Sequence, residues 1–199
     1  MKLLIATHNP GKLREYGALL AGLPLELLTL DEAGIPDEVD ETGSTFLENA
    51  CLKARAYARR SGLLTLADDS GLEVDALGGE PGVQSKRYAG PDQSDAARNE
   101  FLLGRLRDIP AGERTARFRC TIVLANPGGR TWMTEGRCEG EIAFDQRGSN
   151  GFGYDPVFTV AGDGRRMAEL PPEEKNRKSH RAAAAVRARE LLRRIAAGI

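Results

Sequence analysis

The sequence predicts an α/β protein: a mixed β-sheet with flanking helices. Three observations lead there. A nearly all-apolar run, residues 2–7, precedes a Gly-containing loop and an apolar stripe spaced by three and four residues. A second apolar run, residues 63–66, follows directly on a long helical pattern. A hairpin signal, Asn126-Pro127-Gly128-Gly129, then separates two extended runs. Helices with parallel-type strands come first and hairpins later, the order that gives a mixed sheet.

Residues 2–7 are apolar enough for a strand buried on both faces. The loop Thr7-His8-Asn9-Pro10-Gly11-Lys12 leads into a predicted helix from Lys12 to about Leu23, with Leu13, Tyr16, Leu19, Leu20 and Leu23 as its stripe. A strand, a loop and a helix start make a place where backbone N–H groups and the positive dipole end hold anions. Lys12 adds a point charge there, and Thr7 and Asn9 add polar contacts. The plainer reading is an Asn-Pro-Gly turn capping a helix. A Walker loop is excluded, since it needs Gly at Ala6 and Ser or Thr at Leu13. Gly11 alone cannot make a dinucleotide fingerprint.

Residues 25–30 form the second expected strand. The acidic, irregular segment 31–43 follows, carrying Asp31, Glu32, Asp37, Glu38, Asp40 and Glu41. Ser44 or Thr45 then caps a helix from Phe46 to about Arg60, with Glu48 placed for a capping box. An acid just before that helix, such as Glu41, can reach a metal near the sheet's edge. Lys53 points inward at phosphates or lies on the surface with Arg55.

The run Leu66-Ala67-Asp68-Asp69-Ser70-Gly71 is the centre of the sequence. The strand is expected to end at the Asp pair, with Ser-Gly as a turn. Carboxylates at a strand's end avoid the cost of core burial yet keep a rigid support. Hard oxygen ligands there suit Mg²⁺, which takes one or two carboxylates and leaves its other positions to water and phosphate. The plainer reading is a solvated turn.

An extended run over 72–77 and a Gly-rich loop over 78–82 come next. Residues 94–106 read as a helix with Ala97, Phe101, Leu102 and Leu106 on its apolar side. Residues 116–124 read as a long strand exposed on one face at its start, residues 131–138 as its partner, and residues 140–145 as an extension of the meander. In Gly148-Ser149-Asn150-Gly151-Phe152-Gly153-Tyr154-Asp155-Pro156, glycines permit close backbone approach and an aromatic offers a flat face to a base. The plainer reading puts Phe152 and Tyr154 in the core, before a strand at 157–160. Ser179 is the natural N-cap of a final helix over 182–197, and Lys175, His180 and Arg181 place donors for an anionic or carbonyl ligand at its start.

At 199 residues, with no linker or repeat, the chain reads as one domain. Its 28 basic and 29 acidic residues balance, so no global field draws it to nucleic acid or membrane. No apolar run is long enough to span a bilayer. Three cysteines without CxxC spacing predict free thiols in a reducing cytosol. Two histidines without HExxH argue against zinc.

Five motifs stand in register: Thr7 to Lys12; Thr45-Phe46-Leu47-Glu48-Asn49-Ala50; Ala67 to Gly71; Gly151 to Pro156; and Glu174-Lys175 with Ser179-His180-Arg181. Together they resemble the inosine triphosphate pyrophosphatase family, the dITP/XTP pyrophosphatases that clear deaminated purine nucleotides. The resemblance covers almost the whole chain. It implies an elongated fold of two lobes around a central groove, a homodimer, Mg²⁺ dependence, and hydrolysis of a nucleoside triphosphate to monophosphate and pyrophosphate. By position it implies that Thr7, Asn9 and Lys12, within the loop that includes His8, Pro10 and Gly11, hold phosphates through side chains and backbone N–H groups. Asp69 is implied as proton acceptor and metal ligand, with Asp68 beside it and Ser70 touching substrate. Phe152, Gly153, Tyr154, Asp155, Lys175, His180 and Arg181 are implied to bind the nucleotide, Phe152 by stacking and His180, Arg181 or backbone N–H groups by meeting a 6-keto oxygen. The second metal ligand comes from the acidic segment: Glu41, with Asp40 and Glu38 as alternatives. Lys12 and Lys53 would stabilise the leaving group as point charges. Two other readings are a pyrophosphatase for other modified nucleotides, pyrimidines included, and a nucleotide-sensing module without chemistry.

Overall fold

The computed structural model describes residues 1–198. Its strands are β1 (Lys2–Ile5), β2 (Glu26–Thr29), β3 (Leu64–Val74), β4 (Thr115–Ala125), β5 (Thr131–Ile142) and β6 (Phe158–Val160). Its α-helices are α1 (Pro10–Leu19), α2 (Phe46–Ser61), α3 (Asp95–Arg105), α4 (Pro172–Lys178) and α5 (His180–Ala196). The strands hydrogen-bond in the order β2-β1-β3-β4-β5-β6. β1 runs parallel to β2 and to β3, with Leu4 opposite Leu28 and Thr65, whereas β5 and β6 are antiparallel, with Ile142 opposite Phe158. The sheet is therefore mixed, as expected.

The chain forms two compact units. One comprises Met1–Asp69, Cys120–Gly136 and the chain from Arg181 onward; the other comprises Ser70–Arg119 and Arg137–His180. In the first, alternate residues of β1 enter opposite cores. Leu3 and Ile5 pack with Tyr16, Leu66, Ile122 and Leu192, while Leu4 and Ala6 pack with Leu30, Ala54, Tyr57 and Val123. This two-sided burial is why the strand carries an unbroken apolar run. The second unit is centred on Leu72, Val74, Leu102, Phe118, Tyr154 and Phe158.

Four local expectations are corrected. α1 starts at Pro10 rather than Lys12, because proline suits the first helical position and Asn9 caps it; it ends at Leu19, leaving Leu23 to pack from the following turn. β3 does not stop at the Asp pair but continues through Ser70 and Gly71 to Val74. Phe101 is 42% exposed, its ring set edge-on against Tyr88. α4 is an additional helix: Pro172 opens it, Glu173 and Glu174 occupy its first turn and lysine and arginine its last, the charge order that the helix dipole favours. Ser179 closes α4 and directly precedes α5, which starts at His180, two residues before the expected start. The capping box before α2 forms as read, from Thr45 and Glu48.

Candidate active site

Because β3 runs on, Asp68 and Asp69 are both buried. The expected escape from desolvation at a strand end is not what stabilises them; partners do. Successive strand residues point to opposite faces, so the two carboxylates enter different surroundings.

Asp68 Oδ2 takes Lys12 Nζ at 3.0 Å and Arg181 Nη2 at 3.1 Å, and the Cys120 thiol lies 3.7 Å away. Arg181 also reaches Glu15 at 2.6 Å. Lys12 and Glu15 stand one turn apart on α1, so a single helix face delivers both groups to this cluster. Burial pushes the Asp68 carboxyl up, but Lys12, Arg181 and Lys53 more than offset it and hold it well below the usual carboxylate range. Burial together with the charge of Asp68 pushes the Cys120 thiol up to about 12, so the thiol stays protonated.

Asp69 meets a weaker field. Asn49 Nδ2 donates to its Oδ2 at 3.0 Å, and Lys53 Nζ stands 3.8 Å from its Oδ1. Lys53 also contacts Glu41 directly. Asn49 and Lys53 lie four residues apart on α2 and so share a face. Asn49 Oδ1 in turn accepts from the Gly43 N–H at 2.8 Å. A Cβ on Gly43 would fall 2.7 Å from that oxygen, so the close approach requires glycine. Burial raises the Asp69 carboxyl; Lys53 pulls it down, Glu41 pushes it up, and the balance lies above the ordinary value. Adjacent carboxylates are thus tuned in opposite directions, the pattern that divides electrostatic and proton-accepting roles.

Of Glu38, Asp40 and Glu41, it is Glu41 whose carboxylate joins Lys53 beside Asp69. Among the described residues no three His, Cys, Asp or Glu side chains converge as a metal cage. Mg²⁺ does not need one, since it binds through one or two carboxylates and keeps water or phosphate elsewhere. The ammonium of Lys53 already stands as a cation against both Glu41 and Asp69. This donor set fits Mg²⁺.

The loop before α1 forms the cap of that helix, one of the two readings of the segment. Asn9 Oδ1 accepts from the Gly11 N–H at 2.8 Å and the Lys12 N–H at 3.2 Å, and Thr7 Oγ1 accepts from the Asn9 N–H at 3.1 Å. The N–H groups of Asn9, Gly11 and Lys12 thus meet side-chain oxygens of the cap, and Pro10 has no N–H. His8 Nδ1 lies 3.6 Å from Asp31.

In the second unit, Asp155 Oδ2 accepts from the Phe152 N–H at 2.9 Å and contacts Lys175. Lys175 Nζ lies 4.8 Å from the centroid of the Phe152 ring, which is half-buried. Gly151 has φ +77°, and a Cβ there would fall 2.0 Å from Asp155 Oδ2. Phe152, Asp155 and Lys175 are thus brought together. Tyr154 instead enters the core, with its hydroxyl donating to the Ser85 carbonyl at 2.9 Å. The His180 ring stacks on Phe118 at 4.7 Å. The Arg181 side chain is 1% exposed and holds Asp68 and Glu15. Ser70 sits in β3 directly after Asp69, and Gly153 continues the Phe152 loop.

Two residues of the cluster, Asn49 and Glu15, escaped the sequence reading. Each stands three or four residues from a lysine already singled out, Lys53 or Lys12, so helical spacing was the available signal.

A mixed sheet that carries two oppositely tuned carboxylates among lysines defines an α/β protein equipped for phosphate chemistry. The Ham1 family model matches residues 3–191, and the chain belongs to the Ham1 family. A dITP/XTP pyrophosphatase from Geobacter sulfurreducens is 53% identical over 180 residues, 90% of each chain. Its counterpart from Bacillus subtilis is 48% identical over 189 residues, 95% of this chain and 96% of that one. Among solved structures, a HAM1 protein from Coxiella burnetii superposes with a TM-score of 0.88 at 44% identity, covering 96% of this chain and 98% of that one. A nucleoside-triphosphatase, dITP/XTP pyrophosphatase, from Mycobacterium abscessus gives 0.76 at 46% identity, covering 94% and 98%.

Proposed function

We propose that this protein is a Mg²⁺-dependent pyrophosphatase that hydrolyses the deaminated purine nucleotides ITP, dITP and XTP to the monophosphate and pyrophosphate, cleansing the nucleotide pool, and that it acts as a homodimer. The observation that carries the reading is the placement of buried Asp68 and Asp69 among Lys12, Lys53, Arg181 and Asn49, in a chain whose relatives bear the name dITP/XTP pyrophosphatase.

Asp69 accepts the proton of a water that attacks the α-phosphorus. The bond from that phosphorus to the bridging oxygen breaks, and its electron pair leaves on pyrophosphate. Asp68, held ionised, anchors Lys12. Lys12 and Lys53 present ammonium charge to the triphosphate, which competes with their carboxylate partners. Glu41 and Asp69 would hold Mg²⁺, which when bound neutralises phosphate charge and acidifies coordinated water. Thr7 and Asn9 contribute side-chain contacts to phosphate. Phe152 stacks on the base, with Lys175 beside it, and His180, Arg181 or backbone N–H groups meet the 6-keto oxygen. Adenine presents an amino donor at that position, and a mismatched donor can discriminate by about 10⁴-fold.

The test is ion chromatography of ITP incubated with the protein and Mg²⁺. IMP with pyrophosphate is the expected product pair, and IDP with phosphate would mean cleavage at another bond. Turnover of GTP equal to that of ITP would remove the proposed substrate class, and faster turnover of modified pyrimidine triphosphates would replace it.

A further inference from the structure

The loop that carries Phe152 is clamped by α3, a helix whose polar face has no assigned role. Asp95 Oδ2 accepts from the Gly153 N–H at 2.6 Å. Asn99, one turn later, donates from Nδ2 to the Gly153 carbonyl at 3.0 Å. Both backbone groups of a single glycine are therefore held by two side chains spaced i, i+4 on one helix face. Gly153 sits at φ +65° with nothing within 4 Å of where a Cβ would be, so it is glycine for its backbone and not for space.

The clamp is built into the fold. Asn99 is 1% exposed, and Gln146 lies 3.4 Å from its Nδ2. Ser94 caps α3 through the Ala97 N–H, and Arg98 contacts the other oxygen of Asp95. On either side of Gly153 the loop is anchored again, at Phe152 by Asp155 and at Tyr154 by the Ser85 carbonyl. Two of the three backbone groups fixed in this way flank the Phe152 Cα, so the direction of the ring follows from the clamp. A half-buried ring on a glycine-flanked loop would otherwise turn freely.

We propose that Asp95 and Asn99 are positioning residues for base recognition: they act through Gly153 to hold Phe152 in its stacking orientation. The inference rests on the functional reading above, in which Phe152 stacks on the base.

The experiment compares Asp95→Ala, Asn99→Ala and Asp95→Asn with the wild type. It measures kcat and KM for ITP, the inhibition constant of pyrophosphate, and Tm. Asparagine at position 95 keeps an acceptor for the Gly153 N–H, so Asp95→Asn should retain a KM within about twofold of wild type. Each alanine variant should raise KM for ITP by about tenfold, the scale of one lost buried hydrogen bond. Pyrophosphate has no base, and its inhibition constant should stay unchanged in all three. A fall in Tm with KM unmoved, or equal rises for ITP and pyrophosphate, overturns the clamp. Should Asn99→Ala fail to fold, Asp95→Ala against Asp95→Asn decides, because Asp95 lies at the half-exposed start of α3. If the wild type does not hydrolyse ITP, the functional reading fails; if it does and the variants match it, only the clamp fails.

Discussion

Arg181 and Asp68 form an ion pair of 3.1 Å in which each side chain is 1% exposed. They lie 113 residues apart in sequence, so the pair ties the start of α5 to the middle strand of its own unit. Burying two charges is unfavourable unless each finds several partners, and here each has a second: Lys12 for Asp68 and Glu15 for Arg181.

Arg181→Met should therefore destabilise the protein by about 3–5 kcal/mol, because it leaves Glu15 and Asp68 short of a buried counter-charge. Urea unfolding followed by circular dichroism measures this. A loss below 1 kcal/mol would show that the cluster relaxes around the gap. Replacing Glu15 by Gln as well should recover part of the loss, since one uncompensated charge then disappears.

Asp69→Asn keeps the size of the side chain but removes the proton acceptor. The new carboxamide can present its oxygen to Asn49 Nδ2, so that hydrogen bond survives while Asn49 Oδ1 keeps the Gly43 N–H. The expected result is a kcat lower by about 10²–10⁴ with nucleotide binding retained. Single-turnover kinetics with equilibrium binding of ITP separates the two. Full activity would remove Asp69 from the chemistry.

Much of this arrangement was legible in the sequence because it depends on local signals. The apolar run of β1, the Thr45–Glu48 box and the Asn-Pro-Gly-Gly turn each state their structure within a few residues. The continuation of β3 past Asp69 was not legible. Asp-Asp-Ser-Gly has the composition of a turn, and what lets its carboxylates be buried in a strand between β1 and β4 is a set of cations contributed by distant segments: Lys12, Lys53 and Arg181. The same reasoning hid the fate of Arg181. A helix N-terminus suggests a donor for ligands, and only the fold reveals that two carboxylates already claim it. Asn9 illustrates a case where both readings of a segment coexist, as a cap in the structure and as a proposed phosphate contact.

Glu41→Gln should raise the Mg²⁺ concentration needed for half-maximal activity by about tenfold or more, since a hard cation loses one of two carboxylate ligands. The corresponding changes at Glu38 and Asp40, both exposed, should shift it by less than twofold. Metal titrations of the three variants decide which acid serves. An equal response from all three would point to a diffuse field instead of a ligand.

Acid should unfold the protein partly through Asp68. Its folded pKa is depressed below the unfolded value of about 3.9. The stability it contributes is then fully present above that unfolded value and is lost as pH falls through the folded one. Asp69 has the opposite sign: its raised pKa contributes stability at low pH that is lost as pH rises through the folded value. Asp68→Asn should consequently flatten the fall in Tm below about pH 4, whereas Asp69→Asn should remove a gain in Tm that the wild type shows as pH falls toward about 4 from above. Calorimetric scans across that range would show both slopes, and identical slopes in the two variants would contradict the opposite tuning.

Gly151→Ala tests how tightly the Phe152 loop is built. The residue has φ +77°, a region alanine enters at a cost of about 1–2 kcal/mol. The new Cβ would also meet Asp155 Oδ2 at 2.0 Å and Lys175 Nζ at 2.9 Å. Neither neighbour can withdraw easily, because each is buried and each is the other's charge partner. Displacing Asp155 would also release the Phe152 N–H that it accepts. The substitution should therefore act twice, lowering Tm and raising KM for the nucleotide. Gly153→Ala, by contrast, meets no atom within 4 Å and carries only the backbone cost. The difference between the two variants isolates the Asp155–Lys175 pair. If both variants lost stability and affinity equally, the backbone alone would account for the glycines, and the packed pair would have no separate part in holding the ring.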